Sequence, residues 1–229
     1  MILDSAREFC RDKSPVSAVR AQLSTAAGYE QSVWDEMVAL GWLGIALPEA
    51  FGGSQMGIGG VVPVIEAMGR GLLGTPLISS TVAAQLILRA ATTEQAERLL
   101  PKIIEGTVAT AALLETEDWG DSSIRCCVDE QGAMTGAKKF VVDGSVAELF
   151  VVSVMHRGLP ALAVVDRAQL DKDSFAEHTL IDETKRAATI NFAGVTVEPH
   201  NLLVGDVVAV ALRDSQLIGA LLIAAEAAG

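Results

Sequence analysis

A chain of 229 residues, half of them apolar and a fifth charged, has room for one large domain or two small ones and enough apolar surface to build a core; this excludes a disordered chain. A formal net charge of −12 argues against nucleic acid and anionic membranes as partners, because both are held by basic surface. It leaves a phosphorylated ligand open, since backbone N–H groups bind phosphate locally whatever the global charge.

In chain order, the first hundred residues read as helices. In "EQSVWDEMVALGW", Val33, Met37 and Leu40 form one stripe at the 3.6 period, with Trp34 and Val38 beside it and Gly41 as the stop. "LPEAFGGSQMGIGG" reads as a Gly-rich loop, and "VVPVIEAMGRGLL" and "SSTVAAQLILRA" as two further helices. "TTEQAERLLPKIIEG" places Ala96, Leu99, Leu100 and Ile103 on one face, with Thr93 as the expected N-cap and Gly106 as the stop.

At Thr107 the period changes to that of strands. "TVATAALLE" is β-rich. "IRCCVDEQGAMTGAKKFVV" alternates Ile124, Cys126 and Val128 against Arg125, Cys127 and Asp129, then turns at 129–132 as a hairpin does. "ELFVVSVM", "ALAVVD" and "ATINFAGVTV" follow as short strands without helices between them. The expected fold class is therefore α+β: an N-terminal all-α domain over 1–106, an antiparallel β-barrel or sandwich over 107–205, and the start of a C-terminal helical domain over 206–229.

Cys10, Cys126 and Cys127 form no CxxC, and His156, His178 and His200 lack metal-ligand spacing, so no metal site is expected. The cysteine usage suits a reducing, cytoplasmic protein. The N-terminus has no apolar run of the signal-peptide kind. His156 and His200 are expected in exposed loops. The final stretch "LIGALLIAAEAAG" carries Glu226 and, from Leu217 onward, is too short to span a membrane. No membrane partner is expected.

One dinucleotide-type pattern, Gly69, Gly71 and Gly74 in "GRGLLG", lacks the strand before it and the strand after it that a nucleotide-binding turn requires. Close packing at a helix end is the reading preferred for it. The loop "LLETEDWGDSS" has the turn chemistry of a cofactor loop, but Glu115, Glu117, Asp118 and Asp121 repel an anion unless they point away. In "GAKKFVVDG" the residues alone favour a hairpin strand with solvated Lys138 and Lys139.

Taken in order, "ALGWLGIALPEAFGG", "VIEAMGRGLLGTPL", "TEQAERLLPKIIEGTVATAALLE", "GAMTGAKKFVVDGSVAELFVV" and "TLIDETKRAATINFAGVTV" resemble successive segments of the acyl-CoA dehydrogenase family. The resemblance implies an FAD-dependent α,β-dehydrogenation of an acyl-CoA thioester, fatty acyl or steroid side chain. It also implies electron-transfer flavoprotein as the electron acceptor and a homo- or hetero-oligomer formed through the C-terminal bundle. It carries FAD contacts onto Leu113, Leu114, Gly120 and Asp121 in the first loop, and onto Phe140, Val141 and Val142 in the second. Leu114 stands where the family has a hydroxyl residue, and Val142 where it has Thr or Ser. Arg186 falls one residue beyond the family's D-x-T-R arginine, so a structural ion pair is expected of it. The resemblance implies that the catalytic carboxylate lies in the C-terminal bundle or on a residue positioned by it, and that this sequence stops within the first helix of that bundle, so no residue here is assigned as the base. The expectation is an incomplete dehydrogenase, or alternatively a non-catalytic partner subunit of a heteromeric one, or a related flavin monooxygenase or acyl-CoA oxidase. The last helix is expected to be exposed from Leu217 or paired with another chain.

Overall fold

The computed structural model describes residues 2–229. Six helices come first: α1 (Ile2–Lys13), α2 (Val16–Leu23), α3 (Gln31–Ala39), α4 (Gly57–Gly71), α5 (Leu77–Ala90) and α6 (Thr93–Ile104). On α3, Val33, Trp34 and Met37 are buried as their spacing requires, but Leu40 is 54% exposed. The helix ends before it and the chain turns away at Gly41, whose φ of 73° only glycine adopts freely. The N-cap of α6 is Thr92, one residue before the expected Thr93. Thr92 accepts from the Gln95 N–H and donates its own N–H to the Gln95 side chain. This reciprocal box needs Gln three residues after the cap, which only Thr92 has.

The helix α4 starts at Gly57, inside the stretch read as a loop, and contains Pro63. Its glycines disfavour a helix, yet Val61, Val64, Ile65, Ala67 and Met68 are all buried along one side. Tertiary packing outweighs local propensity here.

Among the described residues nine strands follow: β1 (Ala109–Ala112), β2 (Cys127–Val128), β3 (Met134–Thr135), β4 (Ala137–Val142), β5 (Leu149–His156), β6 (Leu159–Asp166), β7 (Phe175–Glu177), β8 (Ala187–Asn191) and β9 (Leu202–Leu203). One sheet runs β3-β2-β5-β6-β9, with β1 also beside β5; the other runs β4-β8-β7. The first sheet is mixed, not wholly antiparallel as expected. β1 pairs parallel with β5 at Leu149–Val152, and β2 pairs parallel with β5 at Met155. The chain passes through β2, β3 and β4 between β1 and β5, and so returns in the same direction.

Strands β5 and β6 are buried on both faces, which is why "LFVVSV" is a continuous apolar run. Phe150, Val152 and Val154 face the second sheet with Ile190 and Phe192, while Leu149 and Val151 face α5 and α6. His156 ends β5, half-buried, with Nδ1 at 2.9 Å from the Val128 carbonyl, so it is not the exposed loop residue expected. His200 is exposed in a short turn.

The last helix, α7 (Val207–Ala228), has 22 residues and a mean hydropathy of 1.7, enough to cross a membrane by length and composition. The shortness argument from Leu217 therefore does not hold. What identifies it as a packing helix is its contact with α4 and α5. Val208, Ala211, Ser215, Ile218, Leu222 and Ala225 are buried at helical spacing, while Val207, Val210, Leu217 and Leu221 are exposed on the other side. The stretch after Leu217 is thus exposed on one side only. Gly69 of α4 makes the contact with α7, for a Cβ there collides with the Glu226 carbonyl. The GxGxxG pattern is a helix-packing feature.

Candidate functional site

The segment leaving β1 lies against β4, and this brings the two sets of predicted residues together. The Lys139 N–H donates to the Leu114 carbonyl at 2.8 Å, and the Thr110 hydroxyl donates to the Val142 carbonyl at 2.6 Å. Leu113 and Leu114 are half-buried, Val141 is buried in the core, and Val142 is 42% exposed. Gly120 and Asp121 sit in the loop above, held to neighbouring loop residues.

Phe140 owes its position to a β-bulge. Lys138 pairs with Ile190 and Val141 with Ala188, so β4 carries one residue more than β8 over that interval. Phe140 takes a φ of 48°, a left-handed value that costs a bulky side chain energy and that the surrounding sheet imposes. The bulge turns its ring outward. His178, from the strand-end segment after β7, stacks on it at 4.7 Å and 16°, its Nε2 within 2.9 Å of the Thr189 hydroxyl. Trp119 closes on the same ring at 5.6 Å and 36°. No local signal marks His178: it lies 38 positions from Phe140, and only the β7–β8 pairing delivers it.

Beneath the loop is a charge cluster that reverses the expectation of two solvated lysines. Lys138 is 0% exposed, and its ammonium donates to Glu115 at 2.5 Å, to the Ser153 hydroxyl at 2.8 Å and to the Leu113 carbonyl at 3.4 Å. Its three protons therefore have three acceptors. Glu115 in turn accepts from the N–H groups of Arg125 at 2.9 Å and Cys126 at 3.0 Å, so it staples together the two ends of the loop 116–124. Burial pushes the Glu115 carboxyl upward, but the Lys138 ammonium and these N–H donors outweigh it and hold the carboxyl below its ordinary value. Glu115 thus points inward, unlike Glu117 and Asp118, which are exposed. Lys139, on the opposite face of the strand, is partly exposed and pairs with Glu117 at 3.3 Å.

A second polar cluster joins α5, the end of β4 and α7. The Ser79 hydroxyl donates to Asp143 at 2.6 Å, and Lys185 pairs with Glu226 nearby. Burial raises the Asp143 carboxyl above its ordinary value, only partly offset by Ser79 and Lys185. Among the described residues Arg186 forms no ion pair of the kind expected. Its guanidinium donates to the carbonyls of Gln22, Leu23 and Thr25, closing the end of α2 that lacks partners, and to those of Glu183 and Lys185.

As arranged, the first loop does not fit a dinucleotide's pyrophosphate. The N–H groups of Asp118, Gly120 and Ser123 already donate to Thr116, Asp118 and Asp121 within the loop. Those of Arg125 and Cys126 go to Glu115. Exposed Glu117 and Asp118 present negative charge instead of donors. The Asp121 carboxyl is held below its ordinary value by Ser123, side chain and backbone, and so stays charged. With these N–H groups spent, an anion finds fewer donors here and meets negative charge instead.

Residues 1–107 match the model of the acyl-CoA dehydrogenase N-terminal domain. The acyl-CoA dehydrogenase IpdE2 of Mycolicibacterium smegmatis is 33% identical over 92 residues, which are 40% of this chain and 30% of that protein. The chain thus spans well under half of the curated relative it matches. The ChsE4-ChsE5 complex from Mycobacterium tuberculosis shares the fold with a TM-score of 0.81 at 21% identity, over 95% of this chain and 60% of that one. An acyl-CoA dehydrogenase complexed with FAD from Bacillus anthracis does so with a TM-score of 0.82 at 16% identity, over 99% of this chain and 41% of that one.

Proposed function

From the match of residues 1–107 to the acyl-CoA dehydrogenase N-terminal domain and the fold shared with acyl-CoA dehydrogenases, we propose that the chain is a member of that family and takes part in the α,β-dehydrogenation of an acyl-CoA thioester as the partner of a homologous chain that holds the FAD. The observation that carries this is the first loop, whose donors are turned inward and whose carboxylates face out. The ChsE4-ChsE5 complex, a chain of which shares this fold, gives such an assembly a precedent.

In this reading the flavin of the other chain supplies the redox chemistry. This chain supplies surface: the rigid β5–β6 sheet, the docked α7 and the outward apolar row of Val207, Val210, Leu217 and Leu221. Electrons leave to an electron-transfer flavoprotein, and a cytoplasmic location goes with the reading. No base is assigned to this chain.

A second reading, in which this chain holds FAD itself and acts as a dehydrogenase, an acyl-CoA oxidase or a flavin monooxygenase, is favoured by one feature. The bulge at Phe140 projects an aromatic ring at the mouth between β1 and β4, on the fold that holds FAD in the Bacillus anthracis enzyme. Purification separates the two. The partner reading expects a colourless chain alone and, after co-expression with a homologous chain, a complex with fewer than one FAD per chain that reduces a dye when given acyl-CoA. One FAD per chain and dye reduction by this protein alone would establish the second reading instead.

A further inference from the structure

We infer that Trp119 is an internal occupant of the ring slot beside Phe140, and that its indole keeps an isoalloxazine-class ring out of this chain. The inference rests on the partner reading above and explains how the exclusion is built.

The floor of the slot is fixed. Phe140 is set by the bulge in β4, and His178 backs its ring in a parallel stack while its own Nε2 is tied to Thr189 on β8. The Trp119 indole lies with its centroid 5.6 Å from that of Phe140, so a planar ring stacked on Phe140 competes with it for that space. Trp119 is 69% exposed, an unusual state for so large an apolar side chain, and Phe140 is its ring partner.

Its position is not left to chance. Glu115 staples the loop at both ends, buried Lys138 anchors Glu115, and turn bonds at Thr116, Asp118 and Asp121 shape the tip on either side of Trp119. A loop closed at its base and shaped at its tip delivers one side chain to one place. Two separable barriers result: the indole blocks the ring, and Glu117, Asp118 and Asp121 repel the phosphates.

Lumiflavin, an isoalloxazine without ribityl chain or phosphate, reports on the ring slot alone. Its binding does not depend on whether a homologous chain is present. Flavin fluorescence quenching on the wild-type protein is expected to show weak lumiflavin binding. Trp119→Ala is expected to tighten it at least tenfold, and Trp119→Phe to stay near wild type. The far-ultraviolet circular dichroism should not change, because Trp119 is at the surface. FAD should remain weak on Trp119→Ala and gain affinity, at least tenfold at low salt, when Glu117→Gln and Asp118→Asn are added. Equal lumiflavin affinity of wild type and Trp119→Ala, at any level including none, overturns the inference. The partner reading stands or falls separately, on FAD stoichiometry in the purified protein and complex.

Discussion

Two seams join distant parts of this molecule by opposite means. At the seam between β1 and β4 the contact is a buried charge: fully buried Lys138 meets Glu115, whose side chain is 6% exposed, and Ser153 and the Leu113 carbonyl complete the ammonium's shell. At the seam between α4 and α7 the contact is an absence of side chain at Gly69, flanked by the less buried Lys185–Glu226 pair. A buried ion pair is weak evidence for stability in itself, but breaking it by halves is expensive. A glycine contact contributes little of its own and forbids every larger residue. The first seam thus specifies partners, the second only a distance.

The largest test breaks the first seam. Lys138→Met leaves the Glu115 carboxylate buried without its cation, and should destabilise the protein by about 3–5 kcal/mol, read as a lower urea midpoint. The double variant Lys138→Met/Glu115→Gln should recover most of that loss, because no buried charge remains; a double variant as unstable as the single one would show that the seam is not governed by charge. The pH dependence follows from the depressed Glu115 carboxyl. Its folded value lies below its unfolded one, so its contribution is fully present above the unfolded value, near 4.5, and is lost as pH falls through the folded value.

Gly69→Ala attacks the second seam and should cost about 1–3 kcal/mol by thermal denaturation, since the new methyl meets the backbone of α7 and not a flexible side chain. A neutral result would mean that α7 shifts freely and that the seam sets no distance.

Asp143→Asn sharpens the comparison, because here the buried charge is poorly matched. The carboxyl is raised by burial and by Glu226, against Ser79, Lys185 and Arg186. Its folded value exceeds its unfolded one, so the wild type loses stability as pH rises from its unfolded value near 3.8 through the folded one. The variant should gain on the wild type as pH rises through that window, in melting curves taken at each pH. The smallest effect is expected from Lys139→Ala, within about 0.5 kcal/mol of wild type. Lys139 adjoins Lys138 in sequence but pairs with exposed Glu117 on the solvent side.

That pair of lysines shows how far the sequence is legible. Alternation says that Lys138 and Lys139 face opposite sides of a strand. It does not say which side is closed, because the closing groups are Glu115 and Ser153, 23 and 15 positions away. The site was legible to the same degree. The first loop and the second motif were each found from their residues and the family resemblance. That they meet depends on the Lys139–Leu114 and Thr110–Val142 bonds between β1 and β4. His178 was invisible, since its role exists only through the stack with Phe140.

By itself the sequence determined the succession of helices, strands and final helix, because hydrophobic period and turn chemistry are local. It also determined the stripe of Ala96, Leu99, Leu100 and Ile103, and the likeness of residues 1–107 to the acyl-CoA dehydrogenase N-terminal domain. The tertiary structure alone decided that α4 forms through glycines and Pro63, that the first sheet is mixed, and that Lys138 is buried while Lys139 is not. It also decided that Trp119 meets Phe140. Each of these depends on which distant segment arrives at a given face, and burial is a property of that encounter rather than of the residue that undergoes it.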